Sequence, residues 1–306
     1  MRLLPLLPFL AALAGCATPR DNFDFETCGV RPRLAIPVEM QGNIPLMRAT
    51  VKGVPATFVL DTGAVSVVLT EPALRRFGLG TDARTINVVS GVGGTARTFA
   101  GHLEDFRIGD LDVPDHKVSV LPPTAGISTT GIDGLFGVSV LSIFEIELDL
   151  PRRLVTLYAG RLCPDTLAPP WVAQARVLDA SRSERGRFIV PIVLDGKVLT
   201  ALLDTGASRT VVATDVALAL GITPETLARD PQATMSGAGP QTAAAAIHRF
   251  GEINVAGQRF ANPTLYVSTR AEPGLDMILG ADYLANRRLW LSYARRRVFI
   301  ENAPAP

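Results

Sequence analysis

Leu60-Asp61-Thr62-Gly63-Ala64 decides how this chain reads, because the same five residues return as Leu203-Asp204-Thr205-Gly206-Ala207. Each copy closes an apolar run, Ala56-Thr57-Phe58-Val59-Leu60 in the first and Leu199-Thr200-Ala201-Leu202-Leu203 in the second. A second strand-like run follows each, Val65 to Leu69 and Ser208 to Val212. Both quintets therefore place a carboxylate at the tip of a tight strand–turn–strand, with Gly where the backbone must bend sharply. An Asp that ends a buried apolar strand is costly without partners. Two such Asp residues facing one another would account for both.

The repeat extends beyond the quintet. Asp204 follows Asp61 by 143 positions, and the same offset links Gly53 to Gly196, Gly78 to Gly221, Asp133 to Asp276, Gly137 to Gly280, Leu141 to Leu284, Arg152 to Arg295 and Val155 to Val298. Ser90-Gly91-Val92-Gly93 matches Ser236-Gly237-Ala238-Gly239 after a small drift in register, and His102 matches His248. Two long units with compensating insertions mean a duplicated domain, since a solenoid needs shorter and more numerous repeats.

At 306 residues the chain has room for two units that each bury a core. It is 47% hydrophobic and 19% charged, and its net charge of +1 gives no electrostatic footprint for nucleic acid. Residues 1–16 read as a targeting segment. Arg2 supplies the positive start, Leu3 to Leu13 is an apolar run too short to span a bilayer, and Leu13-Ala14-Gly15-Cys16 resembles the bacterial lipobox. That resemblance implies lipidation at Cys16. Ala17 in the next position implies export to the outer membrane, with the body facing the periplasm. Residues 17–34 read as a polar tether. Cys28 near its end and Cys163 further on are the two remaining cysteines. In an oxidising compartment a disulfide is their simplest fate, and metal binding is the alternative, although two Cys and three scattered His lack ligand spacing.

The first unit spans 35–160 and consists of short β-rich segments punctuated by Gly and Pro. Glu71 to Phe77 reads as its early helix, with Pro72 in the first turn and Gly78 as the stop. Ser90-Gly91-Val92-Gly93-Gly94 reads as a hairpin tip. Ile132 to Leu141 reads as a strand, a Gly break and a short helix. Two runs around Pro151-Arg152-Arg153 read as a hairpin. Residues 161–185, with three prolines and a charged Ser/Arg/Glu stretch, read as a linker. The second unit, 186–303, repeats the plan: Val216 to Leu220 as helix, Ser236 to Pro240 as hairpin tip, Met277 to Leu284 around Gly280, and a hairpin around Ala294-Arg295-Arg296.

These landmarks, in this order, resemble the retropepsin-like aspartic proteases of bacteria, with two such domains fused in one chain. Asp-Thr-Gly-Ala between apolar strands, a Gly-rich flap, and Leu135-Phe136-Gly137 or Ile278-Leu279-Gly280 all occur twice at matched spacing. The resemblance implies an all-β protein of two retropepsin-like β-barrel lobes, an internal pseudo-dimer with the active site between them. It implies Asp61 and Asp204 as the catalytic pair, one carboxyl protonated and one ionised. Thr62 and Thr205 would cross-link the loops. Gly63, Ala64, Gly206 and Ala207 would support the dyad. Ser90, Gly91, Gly93 and Gly94, with Ser236, Gly237 and Gly239, would close over an extended peptide. It implies a peptide or protein substrate, a monomer carrying both Asp residues, and neither cofactor nor metal.

Plainer readings stand beside this one. The two Asp residues could be turn-formers in a duplicated β-domain without catalysis, a peptide-binding lipoprotein of the envelope. Each unit could also pair with a unit of another chain. Asp133 and Asp276 read as turn or support residues, Trp171 and Trp290 as packing anchors, and the three His residues as non-catalytic.

Overall fold

In a computed structural model, the described residues are 29–92, 94–161, 168–183, 185–239, 241–269 and 274–302. Cys16, Cys28 and Cys163 lie outside them, and so do the expected lipidation, the expected disulfide and Gly93.

The protein is all-β in the main, and its two lobes repeat one strand plan. In the first lobe, Ile44–Val51 and Val54–Leu60 form an antiparallel hairpin. Lys52 (φ 50) and Gly53 (φ 73) make the left-handed turn between them, and Asp195 (φ 46) and Gly196 (φ 79) make its counterpart in the second lobe. Val54–Leu60 then runs parallel to Gly134–Phe136 on its other side. That sandwiching explains why Phe58-Val59-Leu60 is a continuous apolar run and does not alternate. In the second lobe, Lys197–Leu203 lies between Phe188–Leu194 and Met277–Leu279 in the same way. Each Asp-Thr-Gly loop thus leaves the end of a central, fully paired strand.

The helices are short. Glu71–Arg76 opens with Thr70 Oγ1 accepting from the Ala73 N–H at 3.3 Å and stops before Gly78 at φ 62. Its counterpart is Thr214–Ala219. A further helix, Pro224–Arg229, was not expected, although Thr223-Pro224 carries an N-cap followed by Pro, and Thr223 Oγ1 does accept from the Thr226 N–H at 3.2 Å. Phe58, Phe106 and Phe136 fill the first lobe, with ring centroids 5.1 and 6.0 Å apart in sequence along the stack. The buried apolar cluster runs without a break from this lobe into the second.

Six antiparallel strands join the lobes, in the order Ala175–Asp179, Arg297–Glu301, Arg288–Ser292, Glu145–Asp149, Leu154–Arg161, Gly29–Gln41. Two expectations need correcting here. Residues 29–34, read as tether, pair with Leu154–Arg161 as an edge strand. Pro32 is accommodated at a register shift on that edge, where its missing N–H costs no ladder bond in the sheet interior. Residues 175–179 and 181–182, read as linker, pair with Arg297–Glu301 and Phe188–Leu194. These strands are polar on one side and sit at edges, so local pattern alone reads them as loop.

Candidate active site

The backbone of each loop is tied to the strand beside it. The Asp61 N–H donates to Phe136 O at 3.0 Å, and the Asp204 N–H to Leu279 O at 3.1 Å. Inside each loop the carboxylate accepts two backbone N–H groups. Asp61 Oδ1 takes those of Gly63 and Ala64, both at 2.8 Å, and Asp204 Oδ1 takes those of Gly206 at 2.8 Å and Ala207 at 3.0 Å. Those bonds fix the rotamer of both carboxyl groups.

The two loops are also tied to each other. The Thr62 N–H donates to Thr205 Oγ1 and the Thr205 N–H to Thr62 Oγ1, both at 3.0 Å. Thr62 Oγ1 donates to Leu203 O at 2.8 Å, and Thr205 Oγ1 donates to Leu60 O at 2.6 Å. Both Thr side chains are fully buried, so this four-bond square has no water to compete with it. The square brings the loops so close that a Cβ on Gly63 would overlap the Asp204 carboxyl, and one on Gly206 would overlap the Asp61 carboxyl. Gly is required here by the approach of the opposite lobe. Gly137 and Gly280 are required similarly, because a Cβ at either would overlap loop carbonyls of residues 64–66 or 207–209. The residue after each, Val138 or Ala281, donates its N–H to Ala64 O at 2.9 Å or Ala207 O at 2.7 Å.

The carboxyl groups of Asp61 and Asp204 converge in the cleft, each set against the glycine of the opposite loop. Burial pushes Asp61 well above the ordinary carboxylate range, and the neighbouring Asp204 charge adds to it. Burial also raises Asp204, against the loop N–H groups, the Asp61 hydrogen bond and the Arg187 charge, which all favour its ionised form. The proton is a property of the pair. What the environment sets is that the pair keeps one proton to higher pH than two free carboxyls would.

Asp133 and Asp276 stand away from the dyad. Asp133 Oδ2 accepts from the Thr57 N–H at 2.8 Å and its other oxygen pairs with Arg76 at 2.6 Å; Asp276 Oδ2 accepts from the N–H and Oγ1 of Thr200, both at 2.8 Å. They brace the strands that carry the loops. Asp282 is a brace that sequence reasoning missed: it holds the Thr210 N–H at 2.9 Å and Thr210 Oγ1 at 2.6 Å behind the second loop. His248 pairs with Asp230 at 2.7 Å, and His116 Nδ1 lies 2.7 Å from Pro114 O. Trp171 and Trp290 pack together with Phe299 in a cluster of the joining sheet.

Two hairpins cover the dyad. The first pairs Thr81–Gly91 with Gly94–Leu103, bringing Ser90 opposite Thr95 and Gly91 opposite Gly94. The second pairs Gln232–Met235 with Ala243–Arg249, and Ser236, Gly237 and Gly239 lie in its tip. The tips meet: the Gly239 N–H donates to Val92 O at 3.2 Å. Beneath them is a cleft of about 810 Å³, lined by the dyad, both flap tips, apolar walls that include Val59, Leu135, Met235 and Ile278, and four cations, Lys117, Arg185, Arg187 and Arg209. Its size is that of a ligand pocket. The cations carried no motif, and a lone Arg or Lys in a polar stretch reads from sequence as a solvated surface group.

A duplicated all-β fold whose lobes each lend an Asp-Thr-Gly loop and a flap to one cleft is the architecture of an aspartyl protease. The sequence profile of the aspartyl protease family matches residues 47–140 and again 190–283, and the chain belongs to that family. No curated protein matches the sequence. Among solved structures, the chain is similar to conglutin gamma, a basic 7S globulin from lupine seeds, at 12% identity over 89% of this chain and 96% of that one, with a TM-score of 0.50. At that identity the likeness shows the fold, and the activity must be argued from the site.

Proposed function

We propose that the protein is an aspartic endopeptidase, a monomer that hydrolyses peptide bonds with the Asp61/Asp204 dyad. The observation that carries this reading is the convergence of two carboxyl groups, each held by its own loop N–H groups and set against the glycine of the opposite loop, under two flaps. In the reaction, the ionised carboxylate takes a proton from a water whose oxygen attacks the scissile carbonyl carbon. The protonated partner gives its proton to the carbonyl oxygen, and a tetrahedral diol forms. Proton transfer to the amide nitrogen then lets the C–N bond break, leaving a carboxyl and an amino terminus and returning the dyad to its single-proton state. The backbone of the flap tips supplies donors and acceptors for an extended substrate, in the manner of strand addition.

The place of action belongs to the same proposal. Leu13-Ala14-Gly15-Cys16 supports a lipid anchor at Cys16, with Ala17 supporting the outer membrane and the body in the periplasm of the cell envelope. The test is a peptide-library digest read by mass spectrometry with Cys16→Ser protein, and with the same protein carrying Asp61→Asn or Asp204→Asn. New termini in the parent alone support the proposal. Saturable peptide binding with no product in any sample favours a silent peptide-binding lipoprotein.

A further inference from the structure

The cleft is electrically lopsided. Among its described lining residues the acidic side chains are those of Asp61 and Asp204 alone, while Lys117, Arg185, Arg187 and Arg209 are cationic. The dyad with one proton carries one negative charge, so the cleft is net positive in a chain whose overall charge is only +1. The excess is also unevenly drawn from the repeat: three of the four cations come from residues 185–209 and one from the first lobe. Under the repeat, Arg185, Arg187 and Arg209 occupy the places of Gly42, Ile44 and Ser66, and Lys117 the place of Thr264. Duplication of the fold therefore does not require these charges.

Two of the four lie on or against the dyad loops. Arg187 reaches from its own lobe to the opposite loop, where Nη1 donates to Gly63 O at 3.4 Å. Arg209 stands five positions beyond Asp204, its guanidinium 6.0 Å from the centre of the Tyr266 ring, which also lines the cleft. Arg185 and Lys117 are exposed and widen the positive field toward the rim.

Resting on the reading of this cleft as the peptide site, we infer that the protein selects acidic peptides, taking Asp or Glu side chains of the substrate against Arg187 and Arg209 on the residues that flank the scissile bond. A carboxylate there gains a charge-assisted hydrogen bond, whereas a Lys or Arg meets like charge in a partly dehydrated groove. The field of four cations also steers acidic segments into the cleft, an effect that salt weakens.

The experiment uses full-length Cys16→Ser protein made inert by Asp61→Asn, and three fluorescent decapeptides that differ only in bearing Glu, Gln or Lys at three central positions. The Glu peptide binds about tenfold tighter than the Gln peptide at low salt, and the Lys peptide binds weakest. The triple variant Arg185→Gln, Arg187→Gln, Arg209→Gln loses that order. Arg209→Glu alone, at an exposed position, narrows or reverses it. Equal binding of the three peptides, or an order untouched by both variants, overturns the inference. The parent is then incubated with the same peptides. Acidic preference in binding without hydrolysis at any pH supports this inference and overturns the protease reading. Hydrolysis with equal binding does the reverse.

Discussion

At the scale of single residues, the loops hold two groups that water would otherwise satisfy, and both cost the fold something. The Asp61 carboxyl is raised by burial first and by the Asp204 charge second. A carboxyl whose folded pKa lies above its unfolded value favours the folded state at low pH. That contribution is whole below the unfolded value, about 4, and is lost as pH climbs through the folded one. Asp61→Asn removes the penalty and keeps an oxygen for the Gly63 and Ala64 N–H groups. Its melting temperature should therefore match the parent below about pH 4 and exceed it increasingly toward neutral pH; calorimetry across that range checks this, and a gap that shrinks with rising pH refutes it. Thr62→Val keeps the shape of the side chain but leaves the Thr205 N–H and Leu203 O without partners in a dry site. Chemical denaturation should register a loss of about 2–4 kcal/mol. Because Thr205 shares the square, Thr62→Val and Thr205→Val together should cost clearly less than the sum of the two. Strict additivity would mean the bonds act separately. The sequence displayed every member of the loops, since Asp-Thr-Gly-Ala carries its own pattern. It could not display Arg187, whose meaning depends on Gly63 of the other lobe.

At the scale of elements, the flap tips touch above the cleft, and the protease reading has a peptide enter as they part. A Cβ on Gly91 would lie 3.5 Å from that of Ala238, at the short end of disulfide geometry. Gly91→Cys with Ala238→Cys should therefore form a staple under oxidation. Activity should fall to background when it forms and return with reductant, while the parent under the same treatment keeps its rate. Undiminished turnover in the stapled protein would show that substrate reaches the dyad by another route. The elements that sequence made visible are those with local signals: Pro72 and Gly78 at the ends of the first helix, the Gly-rich hairpin tips after Ser90 and Ser236, and Gly137 and Gly280 at breaks. Residues 29–34 and 175–182 gave no such signal. The partners of 29–34 and 175–179 lie more than a hundred residues away, and the edge positions of all these strands leave one side polar.

At the scale of the whole molecule, the joining sheet makes the pair of Asp residues a property of one folded body. Glu147 lies opposite Trp290 in that sheet, the two being equivalent positions of the repeat, so the pseudo-dyad passes between them. Glu147 accepts from Tyr158 at 2.7 Å, Trp171 at 2.8 Å and Arg288 at 2.6 Å, which ties the expected linker to both lobes. Glu147→Leu strands the Tyr158 and Trp171 donors and leaves Arg288 to Asp149 at 3.6 Å and to Glu301. With Glu301 left to Arg288 at 3.2 Å, the loss should be about 3 kcal/mol in denaturant. The parent should unfold in a single transition; two separate transitions would show that the lobes stand alone. The duplicated plan and its shared cleft were legible from the 143-residue repeat. The sheet that fuses the halves was not, because pairing between Glu145–Asp149 and Arg288–Ser292 leaves no mark in either segment.

As a protease, the molecule works through two carboxyl groups that share one proton and act as a unit. The most direct test of this is the pH dependence of kcat/KM on one peptide taken from the library digest, for the parent, Asp61→Asn and Asp204→Asn. The parent should give a bell, falling on the acid side as the pair gains a second proton and on the alkaline side as it loses its last, with both variants at least about a thousandfold slower at every pH. A rate that keeps rising above about pH 8, or either variant retaining most of the activity, would contradict it.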